Sequence, residues 1–598
     1  MLVFGDAERL EAPGEMVRSI REALASAEAL PPGLSRHAAL AAAFVQAGEL
    51  VQALADREFE LFGFDALSPA QSAGARLLLA LAQALDRSWT SGFSAGVPLA
   101  SELPSLLDTL SGGEPVRAKH AEGFSIYALY PETYLAAARA SGLGPGTTVI
   151  GIRSIGSALG ALVAAALGAK PAWSVRPVGH PFARELRVAP KLAASIPEGS
   201  ENKPFAVVDE GPGLSGSSFA AVDAWLQAQG VAPERIHFFP SHAGEPGPQA
   251  GPERRERWRA APRHHTSFEQ VILEAETPAH RLETWATGLL GDLDAPLQDI
   301  SGGAWRELDP LPFMEEGGRR RRWRGPAPNY DAPPADAPME RRKFLARRSG
   351  ETFLLKFAGL GAEGFRKLHH ARLLAAAKLA PEPVGLVNGF LVERWIEAPA
   401  LAQTQLGRKD LVAGLARYIA VRARLLPAFN RGASLPDLFA MTRHNVAQAL
   451  GEEAAAALEA RLAPLAALEE HVRPVGTDNR LHGWEWRVLP DGRLLKHDAL
   501  DHAAAHDLVG CQDISWDVAG AIVEHALSPD ETEVLRGGMT AAGVAVRQEL
   551  VEALFPCYLA FQLGLWTMAA GRAAPGESER LQSLANDYGE RLSLWLQS

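Results

Sequence analysis

One short stretch in the first half of the chain restricts the fold more than any other. Phe205–Val208 is an apolar run typical of a buried parallel strand, and Asp209 and Glu210 follow where that strand should end. Residues 211–218 form a loop of small residues, and residues 220–230 predict a helix that stops at a glycine. Backbone amides and hydroxyl groups at a helix N-terminus favour an anion, so we expect a phosphate site here. An ordinary strand-to-helix turn is the alternative, but it needs neither two acids nor so many small residues.

The segments around this stretch alternate between strands and helices. Residues 124–130, 147–152, 172–177 and 235–239 are predicted as strands, and residues 158–169 as a helix. Strands separated by helices indicate a parallel sheet with right-handed crossovers. Ligands bind beyond the carboxyl ends of the strands in such a sheet, which is where the acidic pair should lie.

A second loop of small residues, 151–157, also follows a predicted strand and opens a helix. It combines one positive charge with residues that allow close backbone approach, namely Arg153, Ser154, Gly156 and Ser157. The arginine-rich segment 176–187 follows and is a candidate flap over a bound phosphate. Its candidate phosphate ligands are Arg176, Arg184 and Arg187. A solvated surface loop is the alternative interpretation of this segment.

The acidic pair and its loop resemble the phosphoribosyl diphosphate (PRPP) loop of type I phosphoribosyltransferases. In that family two acids follow a hydrophobic strand, and a turn rich in hydroxyl groups closes the loop. The spacer 211–214 is one residue longer here, so the roles of Asp209 and Glu210 stay interchangeable. The resemblance implies that these two acids are catalytic and hold the ribose hydroxyls, or Mg²⁺ upon them, with Asp209 as a metal ligand. The implied PRPP ligands are Arg153, Ser154, Gly156, Ser157, Arg176, Gly213, Ser215, Gly216, Ser217 and Ser218.

The second half has a different order of predicted elements. Residues 342–346 and 352–357 are predicted as paired strands, and a helix follows with Glu363 in its first turn. Residues 386–397 have the pattern of a hairpin that runs into a hinge, and helices are predicted from 400 to 470.

This order resembles the aminoglycoside-phosphotransferase branch of the protein-kinase-like fold. The resemblance implies ATP as a substrate, with Lys356 on its phosphates, Glu363 orienting that lysine, and a hinge beside the adenine. The implied nucleotide-binding residues are Lys356, Glu363, Glu393 and Trp395. It also implies Asp498 as a Mg²⁺ ligand and Asp517 as a structural carboxylate. Phosphoryl transfer needs such a lysine and such a carboxylate.

The sequence departs from that family at the catalytic base. The family has His-Gly-Asp and, five residues after the aspartate, an asparagine. Here His482-Gly483 is followed by Trp484, and the asparagine position is Leu489. The candidate replacements for the base are Asp478, Asn479 and Glu485; without one, this half is a nucleotide-binding pseudokinase.

His502 and His506 are four residues apart and would share a helix face, which makes them candidate ligands of a transition metal. Histidines that form hydrogen bonds in the wall of the site are the alternative.

Composition and the positions of proline-rich and basic segments predict the domain organisation. We expect an α/β chain with a helical cap or hood at 1–115, a parallel-sheet phosphoribosyltransferase-like domain at 116–315 and a basic, proline-rich linker at 316–338. A two-lobed α+β kinase-like domain is expected at 339–598. The net charge of −12 does not favour bulk nucleic-acid binding, for which the basic run from Arg319 to Arg324 is the one hint.

Cellular location follows from cysteine usage and apolar runs. Cys511 and Cys557 provide no disulfide framework and suit a reducing cytoplasm, and the first residues lack the pattern of a signal peptide. The small-residue apolar stretch 157–169 is too short to span a bilayer, so no membrane partner is expected. A homodimer stays open.

The sequence therefore predicts a bifunctional transferase. The first half would transfer a phosphoribosyl group from PRPP to an unidentified acceptor, and the second would phosphorylate a small molecule with ATP and Mg²⁺. The alternative is a sensor or regulator that binds nucleotides or PRPP and has a pseudokinase second half. A dinucleotide-binding enzyme is not favoured, since no Gly-x-Gly-x-x-Gly opens the first strand–helix unit.

Overall fold

The computed structural model describes residues 1–5, 8–96, 98–199, 202–301, 333–336, 339–505, 507–573 and 575–597. The predicted basic run from Arg319 to Arg324, most of the predicted linker and His506 lie outside the described residues.

Helices dominate the first part of the chain, as predicted for residues 1–115. Strand β1 (Glu8–Glu11) pairs antiparallel with β2 (Val116–Lys119), and between them lie α1 (Pro13–Ala29), α2 (Leu34–Phe62), α3 (Pro69–Thr90) and α4 (Leu103–Leu110). Helix α3 starts sharply because Pro69 is its first residue and the Ser68 hydroxyl accepts a hydrogen bond from the Gln71 amide at 3.0 Å.

Two short helices then lead to the parallel sheet: α5 (Glu122–Ser125) and α6 (Pro131–Ala140). The prediction of a strand at 124–130 is therefore wrong. The backbone of this segment is satisfied by the second half of the chain instead of by a sheet neighbour. The Phe124 carbonyl accepts from the Leu360 amide at 2.9 Å, and the Ile126 carbonyl accepts from the Arg341 guanidinium at 2.8 Å. Its apolar side chains are buried by that contact, which explains the misleading pattern.

Four parallel strands form the sheet of the first half, in the spatial order β4-β3-β7-β8. They are β3 (Thr148–Ile152), β4 (Trp173–Val175), β7 (Phe205–Val208) and β8 (Ile236–Phe239), which confirms the four other strand predictions. The main crossover helices are α7 (Gly156–Leu167), α8 (Pro190–Ser195) and α9 (Ser217–Ala228). Between β4 and α8 the arginine-rich segment folds as a hairpin of β5 (Pro177–His180) and β6 (Ala183–Leu186). Helices α10 (Pro252–Ala260) and α11 (Leu282–Leu290) follow the sheet.

A five-stranded antiparallel sheet opens the second half, in the order β12-β13-β11-β10-β9. Its strands are β9 (Gln298–Asp299), β10 (Lys343–Arg348), β11 (Glu351–Phe357), β12 (Pro383–Val387) and β13 (Phe390–Arg394). The pairing of β10 with β11 and of β12 with β13 confirms both predicted hairpins. Helix α12 (Ala362–Ala376) lies between β11 and β12 in sequence. This sheet is the smaller of two lobes.

The larger lobe is helical and carries two short strand pairs. Its helices are α13 (Arg408–Leu425), α14 (Leu435–Leu450), α15 (Glu452–Leu462), α16 (Ser515–Glu524), α17 (Pro529–Ala541), α18 (Gln548–Ala570) and α19 (Pro575–Gln597). The strand pairs are β14 (Pro474–Val475) with β17 (Gln512–Asp513) and β15 (Trp486–Val488) with β16 (Leu494–Lys496). The loops around β15 and β16 face the sheet lobe across a cleft.

The hydrophobic cores cross the predicted boundary between the halves. The core of the first half continues into the five-stranded sheet through Phe344, Phe357 and Phe390. In the other direction, Val3 is fully buried in the core of the helical lobe, and its carbonyl accepts from the Leu508 amide at 2.8 Å. The protein is therefore one interlocked structure built from both halves.

Two helices are long and apolar enough to cross a membrane by length and composition, namely α2 and α18. In their most apolar windows, 78% and 83% of the residues are buried inside the protein. Such burial is typical of core helices.

Candidate functional sites

The acidic pair lies at the carboxyl end of β7, on the edge where parallel sheets bind ligands. Asp209 Oδ1 accepts a hydrogen bond from the Glu210 amide at 2.8 Å, and the Tyr134 hydroxyl donates to the Asp209 carbonyl at 2.8 Å. These bonds fix the backbone and leave the side chain of Glu210 to point towards a neighbouring cavity.

Glycine lets the second small-residue loop approach this edge. A Cβ atom at Gly156 would lie 2.7 Å from the Val208 carbonyl oxygen and 3.3 Å from Asp209 Oδ1. A Cβ atom at Gly151 would lie 2.1 Å from the Gly156 carbonyl oxygen. The loop 151–157 therefore touches the strand end that carries the acids, as the sequence predicted for two loops of one site. The Arg153–Ser154 peptide bond in this loop is cis.

A cavity of about 240 Å³ lies beside Glu210 and is lined also by Tyr127, Ser241, His242 and Arg342. Burial, together with the nearby acids Glu122 and Asp209, raises the pKa of Glu210 to about 8. Burial likewise raises the pKa of Asp209 to about 7, although its backbone hydrogen bond acts in the opposite direction. Burial thus favours the protonated forms of both acids, and a bound cation or hydrogen-bond donor would favour the ionised forms.

The two arginines predicted to bind PRPP are held by carboxylates of the helical cap. Arg153 Nε donates to Asp56 Oδ1 at 2.9 Å, and its Nη2 pairs with Asp65. Arg176 also pairs with Asp56, and its amide donates to Asp65 Oδ2 at 2.7 Å. Sequence reasoning missed both aspartates, because they lie far upstream in α2 and in the loop after it. Asp56 and Asp65 thus neutralise Arg153 and Arg176 in this state. Arg184 of the hairpin has no such partner among the described ion pairs, and its positive charge acts to lower the pKa of Asp209.

The serine loop is covered by the hairpin and by the segment after β8. The hydroxyls of Ser215 and Ser217 donate to the Pro181 carbonyl, at 3.3 and 2.6 Å, at the tip of the hairpin β5–β6. Arg254 donates to the Ser215 carbonyl at 2.9 Å from the other side. Gly213 and Gly216 have φ of +62° and +64°, which favour glycine. The expected phosphate ligands are thus gathered in one place, under a hairpin that contacts their hydroxyls directly.

The cleft of the second half brings Lys356 to Asp498. Lys356 Nζ donates to Asp498 Oδ1 at 2.7 Å and also pairs with Asp501. Burial acts to raise the pKa of Asp498, but Lys356 and His502 outweigh it and hold the pKa well below its usual value. Lys356 comes from the sheet lobe and both aspartates come from the helical lobe, so the ion pairs close the cleft. Asp501 was missed by sequence reasoning.

The expectation that Glu363 orients Lys356 is wrong for this state. Glu363 instead pairs with Arg366, and lies 3.4 Å from Lys367 Nζ. Lys367, one helical turn further along α12, donates to Asp501 Oδ1 at 2.6 Å. The Lys367 side chain is 1% exposed and pairs with Asp501 in the cleft. The charged residue that α12 contributes to the cleft is therefore this lysine and not Glu363.

The two predicted hinge residues differ in their surroundings. Trp395 lines a cavity of about 190 Å³ between the lobes and meets the His497 ring edge-on at 5.0 Å. Glu393 is buried behind Lys356, and burial raises its pKa to about 7 while the Lys356 ammonium acts to lower it. Trp395 is thus placed to contact a planar ring, whereas Glu393 belongs to the wall.

Asp478 is locked in a buried network. Lys496 Nζ lies 3.2 Å from Asp478 Oδ1, His502 Nδ1 lies 3.0 Å from the same oxygen, and the Tyr418 hydroxyl donates to Oδ2. Lys496 also pairs with Glu485 and donates to the Asp498 carbonyl at 2.5 Å. Asp478, Glu485 and His502 present ligand atoms within 4.8 Å of one another. The Lys496 ammonium already supplies the positive charge of this cluster, so we assign it to hydrogen bonding rather than to a metal.

Asp517 holds the loop that should carry the catalytic base. Its carboxylate accepts from the amides of Asp478 and Asn479 at 2.8 and 2.9 Å, as expected for a structural aspartate. Glu485 stands directly before β15 and lines the same cavity as Asp498. Arg480 lies five residues before Glu485 and lines the same cavity. Trp484 lines this cavity too, so the alignment of His482-Gly483-Trp484 with His-Gly-Asp stays a prediction.

Trp484 is held by aromatic neighbours. Its ring stacks on His482 with centroids 4.3 Å apart and meets Trp566 of α18. Burial lowers the pKa of His482 well below its usual value, so the ring is neutral. His502 joins the Asp478 network, which favours the hydrogen-bonding alternative for this histidine.

Comparisons with known proteins found no matching protein-family model and no matching curated protein. Solved structures that match include the choline kinase LicA from Streptococcus pneumoniae, with 19% identity, 41% of this chain and 88% of that chain covered, and a TM-score of 0.30. A Plasmodium vivax ethanolamine kinase matches with 11% identity, coverage of 42% and 79%, and a TM-score of 0.31. A choline/ethanolamine kinase family protein from Mesorhizobium loti matches with 16% identity, coverage of 43% and 85%, and a TM-score of 0.30.

Proposed function

We propose that the second half of the chain transfers a phosphoryl group from ATP to a small molecule. The observation that carries this proposal is the pairing of Lys356 with Asp498 across the cleft, beside a cavity of about 190 Å³. Phosphoryl transfer depends on positioning and charge neutralisation, for which it uses a lysine on the phosphates and a carboxylate on the metal. Trp395 in the same cavity offers an aromatic face for the adenine.

The residues of the cleft fit Mg²⁺. Asp498 is a hard oxygen donor that lines the cavity, and Mg²⁺ is usually bound by one or two carboxylates together with substrate phosphates. Bound there, Mg²⁺ would neutralise charge on the transferred phosphate. The protein supplies Lys356 to the phosphates, and the ion pair of Lys356 with Asp498 keeps both groups ionised before the nucleotide arrives.

Calorimetric titration of ATP with Mg²⁺ into the full chain tests this function. We expect binding by wild type and a loss of at least about tenfold in affinity for Lys356→Met and for Asp498→Asn, because each removes a charge-assisted contact. Asp491→Asn is the matched control, since Asp491 lies on the exposed turn between β15 and β16. Equal affinities of wild type and Asp498→Asn would contradict the proposal.

Turnover separates the enzyme from the regulatory alternative. Transfer of label from γ-labelled ATP to compounds of a metabolite extract, absent in Asp498→Asn, supports catalysis. Tight ATP binding without any transfer supports a nucleotide-binding regulator.

A second function, PRPP-dependent phosphoribosyl transfer in the first half, is favoured by one specific arrangement. Asp209, Glu210 and the loop 151–157 meet at the carboxyl edge of the parallel sheet, next to the cavity of about 240 Å³. The acids would hold the ribose hydroxyls or Mg²⁺, the serine loop the 5′-phosphate and the loop 151–157 the pyrophosphate. Transfer would rely on stabilising the charge that develops on the ribose and the leaving group.

Titration of PRPP with Mg²⁺ into wild type and Asp209→Asn/Glu210→Gln tests this second function. Binding should require the two carboxylates in their ionised forms. Since burial raises their pKa values to about 7 and about 8, wild-type affinity should rise as the pH increases from 6 to 8.5. PRPP binding that is absent from wild type, or unchanged in the double variant, would exclude the function.

A further inference from the structure

Arg480 has an unusual environment for a buried arginine. It lines the cavity of about 190 Å³ and is 8% exposed. Neither its Nε nor its Nη2 has a hydrogen-bond partner among the described residues. The nearest described carboxylate is Asp507, whose Oδ2 lies 3.7 Å from Arg480 Nη2, beyond hydrogen-bonding distance. A buried guanidinium with two unused donors is costly unless a ligand satisfies them.

A second guanidinium faces the same cavity with an unused donor. Arg341 is 5% exposed, and its Nε has no hydrogen-bond partner in the described part of the chain. Another nitrogen of Arg341 donates to the Ile126 carbonyl at 2.8 Å, which fixes the side chain between the two halves. Asp501 Oδ1 lies 3.8 Å from Arg341 Nε, beyond hydrogen-bonding distance, so two guanidinium groups with unused donors line one cavity and indicate an oxygen-rich anion as the occupant.

The position of Arg480 restricts the chemistry of the acceptor. A hydroxyl acceptor must lose a proton during transfer, and a positioned carboxylate normally receives it. Arginine cannot accept that proton, because its guanidinium is always charged. The described carboxylates that line the cavity are already paired: Lys496 pairs with Glu485, Lys356 with Asp498 and Asp501, Arg572 with Asp336, and Lys343 with Glu340. An acceptor oxygen that is already anionic needs no base.

We propose that the acceptor of the second half is an anionic oxygen acid, a phosphate monoester or a carboxylate, bound by Arg480. This inference rests on the ATP-dependent transfer proposed above. An oxygen lone pair of the anion forms the new bond to the γ-phosphorus, and the bond from that phosphorus to the β,γ-bridging oxygen breaks. The electron pair leaves on ADP and no proton is transferred. Arg480 binds the anion and offsets the repulsion between it and the γ-phosphate.

Binding of three matched probes to the full chain tests the proposal. Ribose 5-phosphate, ribonate and ribose share a polyol frame and carry a phosphate monoester, a carboxylate or no charge. Each is titrated by calorimetry in the presence of Mg²⁺ and a non-hydrolysable ATP analogue. We expect at least one charged probe to bind wild type, and Arg480→Gln to weaken it by about tenfold or more, because charge-assisted hydrogen bonds are lost. The tighter of the two charged probes identifies the acid.

Two further variants control for folding and for net charge. Arg480→Lys keeps the positive charge and should bind the charged probe with an affinity within about tenfold of wild type. If Arg480 had a purely structural role, this variant would lose binding as Arg480→Gln does. Arg493→Gln removes the same charge from the exposed turn beyond β15 and should bind like wild type.

The outcomes separate the two proposals. An ATP analogue that does not bind wild type refutes the proposed function. If the analogue binds, any one of three results overturns the anionic-acceptor inference alone. Ribose could bind as tightly as the charged probes, neither charged probe could bind, or Arg480→Gln could leave the affinity for the charged probes unchanged.

Discussion

The pairing of Lys367 with Asp501 should contribute strongly to the stability of the cleft. Lys367 Nζ lies 2.6 Å from Asp501 Oδ1, and the two side chains are 1% and 9% exposed. Burial acts to raise the pKa of Asp501, but the Lys356 and Lys367 ammonium groups outweigh it and hold the pKa well below its usual value. Replacing Lys367 with methionine keeps the shape of the chain and removes one of these charges.

The expected magnitude follows from the geometry. At an effective dielectric constant of about 20, two charges separated by this distance attract each other by about 6 kcal/mol, and the desolvation of both ions offsets much of that. Removing one partner of a buried pair costs about 3–5 kcal/mol. Asp501 keeps Lys356, and Arg341 Nε lies 3.8 Å away, so we expect the lower end, about 3 kcal/mol.

Urea denaturation followed by circular dichroism measures this loss. Lys409→Met, the same substitution on the exposed start of α13, is the control and should stay within about 0.5 kcal/mol of wild type. The double variant Lys367→Met/Asp501→Asn should be less destabilised than the sum of its single variants by about 2 kcal/mol, since the uncompensated charge is gone. A Lys367→Met protein as stable as wild type, or strict additivity, would refute the reasoning.

Three other predictions concern buried polar groups and close packing. Asp517→Ala should cost about 2–4 kcal/mol, because the amides of residues 478 and 479 lose their shared acceptor; Asp517→Asn should fall between it and wild type in urea denaturation. Gly156→Ala should cost about 1–3 kcal/mol, since the added Cβ lies 2.7 Å from the Val208 carbonyl oxygen; a melting temperature equal to that of wild type would contradict the contact. The pKa of Glu210 is raised from 4.5 to about 8, so its contribution to stability is complete below pH 4.5 and is lost as the pH rises through 8. The urea midpoint of wild type should therefore fall more steeply between pH 6 and 9 than that of Glu210→Gln.

The local patterns of the sequence were sufficient for the elements that carry the acidic edge. Strand, acid pair, small-residue loop and helix were each visible in the stretch around Asp209, because a buried parallel strand and a helix have distinct apolar periods. The resemblance to kinase-like proteins likewise predicted that Lys356 and Asp498 lie in one cleft. These predictions depend on neighbours in sequence or on the order of elements.

The ion pairs could not be predicted in the same way. Asp56 and Asp65 neutralise Arg153 across many residues of intervening chain, and nothing in the helix pattern of α2 marks Asp56 as a partner. A charged residue on a helix is usually solvated, so the sequence gives no reason to pair it with a distant loop. The pairing of Lys367 could not be predicted either, because in the sequence Lys367 does not differ from the other polar residues of α12.

The register of the loop 478–485 against the family pattern shows a different limit. His482-Gly483 matches the expected dipeptide, but a dipeptide match cannot distinguish between two registers that lie a few residues apart. Asp517 holds the amides of residues 478 and 479, and the same cavity is lined by Arg480, Trp484 and Glu485. The two registers imply different chemistry, since the resemblance would put Arg480 at the position of the family's base in one and Trp484 in the other.

The interlocking of the halves decides how either site can be studied. Phe344 and Phe390 of the antiparallel sheet belong to the core of the first half, and Arg342 donates to Glu269 at 2.5 Å. Cutting the chain at the predicted linker would expose those aromatic rings, and it would also withdraw Val3 from the helical lobe. In the extended segment that leads into β10, successive side chains point to opposite sides. Arg341 therefore lines the cavity between the lobes, and Arg342 lines the cavity beside Glu210. Because one segment forms a wall of both cavities, a substitution in it must be assayed with ATP and with PRPP in the intact protein.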